Sequence, residues 1–447
     1  MPKKKTALTI EERLQQALVP AEEQPYEVPE NWVWVRLGAV TKVVGGGTPS
    51  TSKKEYYDEG NISWLSPVDL SNYNGIYISR GNKMITLEGL NNSSAKLLPK
   101  DTVCLTSRAP IGYVAIAEKE LCTNQGFKSF LPSPTYLAKF LYWYLKGNKE
   151  LLESKASGTT FLELSASKAA TIEFPLPPLS EQQRIVERIE ELFAKLDEAK
   201  EGLQDVAGSF AVRKAAILHK AFTGELTKQW RRENGVGDAS WEEKKLGEVA
   251  LLLSGQDFPP TKYNSDGNGI PYITGASNFD DTHILISRWT DEPSVIAQEN
   301  DVLLVCKGSG YGKTIIADFK EAHIARQIMA LRVKEIIDNN LLLYYLRNKN
   351  RFIKEQGQGL IPGLSRKVIL SLTINLPTLP EQHEIVRLID DLLARERSVQ
   401  QATEQALASI DLMKKSILAR AFRGELGTNK ASEASALELL KQVLAEN

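Results

Sequence analysis

Apolar residues alternate at spacings of four and three along two long stretches of this chain. In the first stretch the stripe is broken only at Arg213, and in the second it is interrupted at Glu396 and Thr403. This spacing is the a/d pattern of a coiled coil, so we predict two long helices that begin after prolines and close at Gly224 and Gly424. The predicted core positions of the helix pair are Ile185, Ile189, Leu192, Leu196, Leu203, Phe210 and Ile217 in the first helix, and Ile385, Ile389, Leu392, Val399, Ile410 and Ile417 in the second.

The two helical stretches are copies of one another. Residues 177–226 begin PPLSEQQRIV and end AFTGEL, and they recur without a gap as residues 377–426, which begin PTLPEQHEIV and end AFRGEL. About forty-three helical residues at a rise of 1.5 Å give a rod of roughly 60 Å. Two rods of equal length with matching stripes are expected to pack on each other. An antiparallel pair is favoured because a whole domain lies between them.

The segments that precede the two helices also repeat. The segment after Asn31, WVWVRLGAV, predicts a strand. The segment that begins at Trp241 repeats its pattern of residues. Further echoes follow in the same order, with short strands broken by Gly, Asn and Pro, and helical pattern mainly at 135–155 and 338–356, which is typical of an α+β domain with irregular β-sheets. The predicted parts are an N-terminal arm (1–30) with a weak helix near residues 10–18, a first domain (31–176), a first long helix (177–227), a second domain (240–376), a second long helix (377–427) and a C-terminal tail (428–447).

The composition of the 447 residues, 42% hydrophobic and 25% charged, is ordinary for a soluble globular protein. No apolar run is long enough to span a membrane, and the N-terminus lacks the pattern of a secretory signal. Cys104, Cys122 and Cys306 lie too far apart for a CxxC motif, so we expect reduced thiols and a cytoplasmic protein. The four histidines show no ligand spacing, and no metal site is predicted.

The net charge of −1 is not typical of a protein that binds nucleic acid. Lys and Arg outnumber Asp and Glu by sixteen to twelve between residues 31 and 175, and the counts are equal, at sixteen each, between 240 and 375. Any surface that binds DNA must therefore be local.

Three groups of polar residues are candidates for such a surface. The GGGTPSTSKK loop, with Gly46, Thr48, Ser50, Lys53 and Lys54, is either a loop that approaches DNA or a plain hairpin loop. The sequence GSGYGKT resembles a phosphate-binding P-loop but has Lys307 where that motif requires glycine, so it predicts a strand-turn-strand. In and near these turns, Arg108, Lys307, Tyr311 and Lys313 are candidates for DNA contact, against an alternative of solvated charge.

A third group has the chemistry that reads base edges. Asn124-Gln125 and Arg326-Gln327 occupy matching places in the two halves, and Asn or Gln pairs with adenine whereas Arg pairs with guanine. The alternative is that these side chains make buried hydrogen bonds at the start of a strand. The remaining polar candidates for DNA contact are Thr159, Gln358, Arg366 and Lys367.

From residue 28 to residue 427, the chain resembles the specificity (S) subunits of type I restriction-modification systems, the HsdS family. The resemblance is carried by PPLSEQQRIV with LPEQHEIV, by AFTGEL with AFRGEL, by WVWVRLGAV and by GGGTPS. It implies two α+β target recognition domains separated by two long antiparallel coiled-coil helices, in an internal pseudo-twofold repeat. Each domain would read one half of a bipartite, asymmetric DNA target, and the helices would set the spacer.

The same resemblance implies partners that carry the catalysis. These are double-stranded DNA, two methyltransferase (M) subunits that methylate adenine with S-adenosylmethionine, and up to two restriction (R) subunits that cleave DNA with ATP and Mg²⁺. No catalytic residue and no cofactor is expected in this chain, which lacks the [ND]PP[YF] motif of amino-methyltransferases. An apolar edge near Phe193, Leu393 and Leu407 is the expected docking place for the M subunits. The alternatives are a part of a self-sufficient restriction-methylation enzyme, and a protein-binding scaffold without DNA readout.

Overall fold

The computed structural model describes residues 9–158, 162–237, 240–280, 283–308, 310–355 and 363–446. The chain divides into two compact units, and each contains one α+β domain and parts of both long helices. Unit 1 consists of the residues up to 202 together with those from 406 onward, and unit 2 is Leu203–Gln405.

Unit 1 begins with the arm and the first domain. Its strands are β1 Val33–Arg36, β2 Val43–Gly45, β3 Ile62–Leu65, β4 Tyr77–Ile78, β5 Lys83–Ile85, β6 Val103–Ser107, β7 Ile111–Ala117, β8 Cys122–Thr123, β9 Phe127–Phe130 and β10 Glu173–Leu176. Its helices before the long ones are α1 Ile10–Ala17, α2 Leu37–Val40, α3 Leu87–Asn91, α4 Ala138–Gly147, α5 Lys149–Lys155 and α6 Ala166–Ala170.

The strands of the first domain form three small sheets. The order β2-β9-β6-β7-β4 makes the largest, β5-β3-β8 makes a second, and β1 pairs with β10 antiparallel. Helix α4 lies on this framework and buries its aromatic side chains there, among them Phe140 and Tyr144. The Tyr144 hydroxyl donates to the Glu173 carbonyl oxygen at 2.5 Å, so the aromatic core is tied to the last strand before the helix.

Unit 2 repeats this plan. Its strands are β11 Glu242–Lys245, β12 Ala250–Ser254, β13 Ile270–Ile273, β14 Trp289–Thr290, β15 Ile296–Gln298, β16 Val302–Val305, β17 Thr314–Ile316, β18 Glu321–Ile324, β19 Ile328–Val333 and β20 Thr373–Leu376. Between and beside them, after the first long helix α7 (Leu179–Phe222), lie α8 Lys228–Glu233, α9 Leu246–Val249, α10 Asn339–Asn348, α11 Asn350–Glu355 and α12 Arg366–Ser371.

The sheets of the second domain follow the plan of the first, but its two larger sheets have four strands each where those of the first domain have five and three. They are β12-β19-β16-β17, β14-β13-β18-β15 and the antiparallel pair β11-β20. The Tyr345 hydroxyl donates to the Thr373 carbonyl oxygen at 2.6 Å, which corresponds to the bond from Tyr144 to Glu173 in the first domain. The predicted strand-turn-strand of the GKT segment is confirmed, because β16 and β17 are antiparallel partners on either side of that turn.

The two long helices, α7 and α13 (Leu379–Phe422), have 44 residues each. In unit 1 their segments run antiparallel: Asp197 pairs with Lys414 at 2.6 Å, and Lys200, further along α7, pairs with Asp411, earlier in α13. In unit 2 the two helices are joined by Arg213 and Glu396 at 3.0 Å. These last two residues are interruptions of the apolar stripe, and they pair with each other.

The apolar stripe has more than one use. Ile185 and Ile189 are fully buried in the core of the first domain, beside Phe422 from the end of α13, and Ile385 and Ile389 take the corresponding places in the second domain. Phe210 and Ile410 are also buried. Half-buried stripe positions are Leu192, Leu196, Leu203, Ile217, Leu392 and Ile417.

One predicted core position of the helix pair is wrong. Val399 is 46% exposed, whereas Thr403, which interrupts the stripe, is 4% exposed and donates its hydroxyl to the Val399 carbonyl oxygen at 2.8 Å. A straight α-helix drifts by about 20° per heptad against a 3.5-residue repeat. Near the middle of α13 this drift leaves Val399 at the edge of the stripe.

The ends of the described chain belong to unit 1. The predicted arm helix is confirmed as α1, and α14 Ala436–Glu446 follows α13. Arg13 donates to the Leu444 carbonyl oxygen at 3.2 Å, and Ala436 and Leu440 are buried in the core of the first domain. None of the helices in the described part of the chain is long and apolar enough to cross a membrane.

Candidate nucleic-acid interface

In the first domain, the glycine-rich loop packs against the turn between β8 and β9. The Gly47 amide donates to the Thr123 carbonyl oxygen at 2.9 Å, and a Cβ at Gly46 would overlap the carbonyl oxygen of Asn124. The close approach therefore requires glycine. It brings Thr48 beside Gln125, and the Thr48 hydroxyl donates to the side-chain oxygen of Gln125 at the exposed surface.

The second domain has the same arrangement with different side chains. The Gln256 amide donates to the Ile324 carbonyl oxygen at 2.9 Å, and a Cβ at Gly255 would overlap the carbonyl oxygen of Ala325. The turn between β18 and β19 places Arg326 beside Asp257, and the Arg326 Nε lies 2.6 Å from the carboxylate. The backbone amide of Arg326 also donates to Asp257, at 3.1 Å.

These contacts correct the matching of the two turns. The Phe127 amide donates to the carbonyl oxygen of Asn124, and the Ile328 amide donates to that of Ala325, so Asn124 matches Ala325 and Gln125 matches Arg326. The sequence comparison placed Asn124-Gln125 against Arg326-Gln327, which is one residue out of register. The short turn motif holds too few residues to fix the register, which the flanking strand hydrogen bonds determine.

Asn124 has a local role. Its side-chain oxygen accepts from the Gly126 amide at 2.8 Å, which stabilises the turn. Gln327 is exposed, and its side-chain oxygen lies beside Gly275. Of the four predicted base readers, Gln125 and Arg326 are therefore the pair at equivalent positions.

A charge cluster beneath Gln125 was not predicted. Lys128 is only 8% exposed, and its ammonium donates to Ser107, to the Gln125 carbonyl oxygen at 3.5 Å and to Glu163 at 3.3 Å. Arg108 lies 3.8 Å from the same Glu163 carboxylate. A lysine between the two phenylalanines of the strand FKSF was the signal that sequence reading overlooked. The cluster fixes the backbone that carries Gln125 and partly neutralises Arg108.

The second domain lacks the corresponding carboxylate. Leu164 and Leu364 donate their amides to Ser107 and Cys306, which places Gly363 where the first domain has Glu163. Lys307, which matches Arg108, is exposed and forms no ion pair with any described residue. A free ammonium at this position is available to a phosphate group.

Several other predicted DNA contacts are placed as follows. Lys313 is exposed in the same turn as Lys307, whereas Tyr311 is buried and donates its hydroxyl to the Ile353 carbonyl oxygen at 2.8 Å. The prediction that Tyr311 contacts DNA is therefore wrong, because its ring packs in the domain core. Arg366 and Lys367 are exposed in the first turn of α12.

The far end of the glycine-rich loop of the first domain makes contacts of its own. Ser50 bonds Ser52, and Lys53 donates to the Tyr56 hydroxyl at 2.9 Å, which raises the pKa of Lys53. Lys54 is exposed beside them. Thr159 and Gln358 lie outside the described residues.

The motif that recurs as LSEQQ and LPEQH holds the start of each long helix to its domain. The buried Gln182 side chain accepts from the Leu137 amide at 2.8 Å and donates to the Thr135 and Pro177 carbonyl oxygens, and Gln382 repeats these contacts in unit 2. Buried Glu181 accepts from the Trp32 indole at 2.8 Å. Its counterpart Glu381 accepts from Trp241 and from buried Arg231. These residues position the domains and are too buried to meet DNA.

The expected docking edge is partly occupied within the chain. Phe193 packs edge-on against Trp143 with ring centroids 5.1 Å apart, Leu393 packs on the core of the second domain, and Leu407 is half-buried. The exposed apolar residues on the long helices include Val212, 69% exposed, and Leu412, 67% exposed. These two occupy matching positions in the two helical repeats.

Two α+β domains of one design, each with a supported amide or guanidinium group on its exposed loops, define a duplicated protein. Residues 29–206 and 239–407 match the family model described as the type I restriction modification DNA specificity domain. This chain belongs to the type I restriction-modification specificity family.

Known relatives agree with this assignment, and a solved structure shares the fold. The chain is 34% identical over 264 residues to the type I restriction enzyme MjaIX specificity subunit of Methanocaldococcus jannaschii, an alignment that covers 55% of this chain and 58% of that subunit. It is 26% identical to the StySPI specificity subunit of Salmonella potsdam over 94% of this chain and 96% of that protein. The HsdS subunit from Thermoanaerobacter tengcongensis shares the fold, with a TM-score of 0.69, 23% identity and coverage of 90% of this chain and 100% of that one.

Proposed function

We propose that this chain is the DNA-sequence recognition subunit of a type I restriction-modification complex, in which each α+β domain reads one half of a bipartite target. The observation that carries the proposal is the equivalence of Gln125 and Arg326. The same loop framework presents an amide in one domain and a guanidinium in the other. Two readers with one framework and different reading groups fit a target whose halves differ in sequence.

The long helices are proposed to fix the spacer between the two half-sites. A 44-residue helix is about 66 Å long at a rise of 1.5 Å per residue. Half-sites that face the same side of a duplex lie about 34–36 Å apart per helical turn. Helices of this length can therefore carry readers at a fixed separation of that order.

Methyltransferase subunits are proposed to dock on the exposed apolar positions of the helices. Val212 and Leu412 are the same position in the two repeats, and burying each would remove apolar surface from water. Two equivalent places fit two copies of one partner.

Catalysis is assigned to the partners in this proposal. The relatives are named specificity subunits, which fits a chain that directs chemistry without performing it. Adenine methylation with S-adenosylmethionine would belong to the M subunits, and ATP- and Mg²⁺-dependent cleavage to the R subunits. A net charge of −1 also fits a complex in which the M subunits supply much of the phosphate-binding surface.

The test is to co-express the chain with its cognate methyltransferase subunit and map adenine methylation across the host genome by long-read sequencing. The proposal expects a split motif with a fixed gap that disappears when this chain is omitted. Methylation that is absent, or unchanged by the chain despite a stable complex, would contradict it.

A further inference from the structure

Each domain has a pair of contacting residues at two equivalent positions, and both residues of the pair differ between the domains. Gly46 and Gly255 are the glycines that pack on the turn in the first and second domains. Position 48 lies two residues after Gly46, and position 257 lies two residues after Gly255, so the two positions are equivalent. The pair is Thr48 with Gln125 in one domain and Asp257 with Arg326 in the other. A hydroxyl supports an amide, and a carboxylate supports a guanidinium, so each support fits the group that it holds.

The supporting residue of each pair is fixed by the core of its domain. Beside Thr48, the Gly47 carbonyl oxygen accepts from the buried Trp64 indole at 2.9 Å. Beside Asp257, the Phe258 ring stacks on buried His323 at 3.9 Å between centroids, and His323 Nε2 bonds the Gln256 carbonyl oxygen at 2.9 Å. Trp64 and Tyr272 occupy equivalent strand positions, and the Tyr272 hydroxyl accepts from the Phe258 amide at 3.1 Å. A group held in this way is preorganised for recognition.

The contact with Asp257 leaves the reading edge of Arg326 open. The carboxylate binds the Nε of Arg326 and its backbone amide, and the two terminal nitrogens of the guanidinium form no hydrogen bond or ion pair with the described residues, on a side chain that is 68% exposed. Those two nitrogens form the fork that pairs with O6 and N7 of guanine. An ordinary surface ion pair, such as Arg351 with Glu355 along α11, lacks the backbone contact and the matched position in the other domain.

We infer that Gln125 and Arg326 are the same base-reading position in the two domains, and that Thr48 and Asp257 are its positioning residues. Gln125 then requires an A·T pair at one position of the first half-site, and Arg326 requires a G·C pair at the corresponding position of the second. This inference rests on the proposed function and adds to it the identity of one base pair in each half-site.

The experiment measures DNA binding by the complex of the full chain with its methyltransferase subunits. Duplexes that carry each base pair of the two half-sites substituted in turn compete with the natural target. In the natural protein, one G·C pair of the second half-site should contribute a preference of roughly 5- to 150-fold. In Arg326→Gln, that preference should be lost or move to A·T, and every position of the first half-site should keep its ratios.

A second set of variants tests the positioning residues. Asp257→Asn should weaken the preference at the same single base pair, and adding it to Arg326→Gln should cause no further loss there. The double variant Asp257→Thr with Arg326→Gln installs the pair of the first domain and should favour A·T at that position. A merely structural role for Asp257 would lower affinity evenly for all duplexes.

Arg351→Gln is the matched control, because it removes an exposed arginine from a carboxylate pair in the same domain. It should leave all ratios unchanged. Ratios are measured at low salt so that weak variants still bind. If the natural complex prefers no sequence, the proposed function fails. If it does prefer a split sequence but Arg326→Gln keeps the full natural profile of the second half-site, this inference alone is overturned.

Discussion

At the scale of single residues, the recurring motifs bury polar side chains that form hydrogen bonds with residues far away in the sequence. Glu181 meets the Trp32 indole, and Glu381 meets Arg231 and Trp241, so each motif ties the start of a long helix to the first strand region of its domain. The sequence predicts that these motifs matter because they recur. It does not reveal their chemistry, since the partners lie more than a hundred residues away.

The buried pair of Arg231 and Glu381 leads to a stability prediction. Both side chains are almost fully buried and lie 2.7 Å apart, so Glu381→Gln would replace the charged acceptor of the Arg231 guanidinium by a neutral amide. Because a hydrogen bond to a charged group contributes about 1.5–3 kcal/mol, we expect the free energy of unfolding of unit 2 to fall by about that amount. Urea unfolding followed by circular dichroism measures it, and Arg351→Ala, at an exposed pair, should change stability by less than about 0.5 kcal/mol. Equal effects of the two substitutions would contradict this account.

Buried His323 leads to a prediction about pH. Burial lowers the pKa of His323, whose Nδ1 accepts from the Val295 amide at 3.2 Å, so the folded protein keeps this ring neutral to a lower pH than the unfolded chain does. Below about pH 6.5 the unfolded chain binds a proton that the folded chain does not, so the contribution of His323 is full above that pH and declines below it. Unfolding free energies at pH 7.5 and 5.5 should show a smaller difference in His323→Gln than in the natural protein.

A suitable control for that comparison is His219→Gln, since His219 is exposed on α7 and forms no ion pair with any described residue. It should leave the pH dependence as it is. The idea fails if His323→Gln keeps the full difference between the two pH values.

At the scale of elements, much of the architecture follows from pattern. The apolar stripe and its flanking prolines and glycines predict two long helices, and the structure has them at Leu179–Phe222 and Leu379–Phe422. The helical pattern near 135–155 and 338–356 is confirmed by α4 with α5 and by α10 with α11. The register between the loops at Gln125 and Arg326 could not be predicted, because it depends on hydrogen bonds between strands and loops distant in sequence.

The polar interruptions of the stripe give a prediction at this scale. Arg213 and Glu396 bond each other across the helix pair, with side chains that are part-exposed, so their coupling should be moderate. A double-mutant cycle with Arg213→Ala and Glu396→Ala should give a coupling of about 1 kcal/mol. The same cycle on Glu191 and Lys195, an exposed pair along α7, should give no more than about 0.5 kcal/mol. Equal couplings would show that the interhelical pair has no special role.

At the scale of the whole molecule, duplication is the organising feature. Each unit takes one domain, the first part of the helix that follows it and the last part of the other long helix. In unit 2 the segment after α7 supports Glu381 through Thr227 and Arg231, and in unit 1 the segment after α13 supports Glu181 through Asn429. A repeat in the sequence predicts this equivalence, but only the structure shows which parts form each unit.

Independent reading of DNA by the two domains is tested by a domain replacement. Residues 31–176 contain both β1 and β10, which pair with each other, so replacing them by the same region of a relative keeps that sheet intact. The methylation motif of the co-expressed complex is then mapped before and after the exchange. If the two domains read DNA independently, one half of the motif changes while the other half and the gap stay the same. A change in both halves, or in neither, would contradict it.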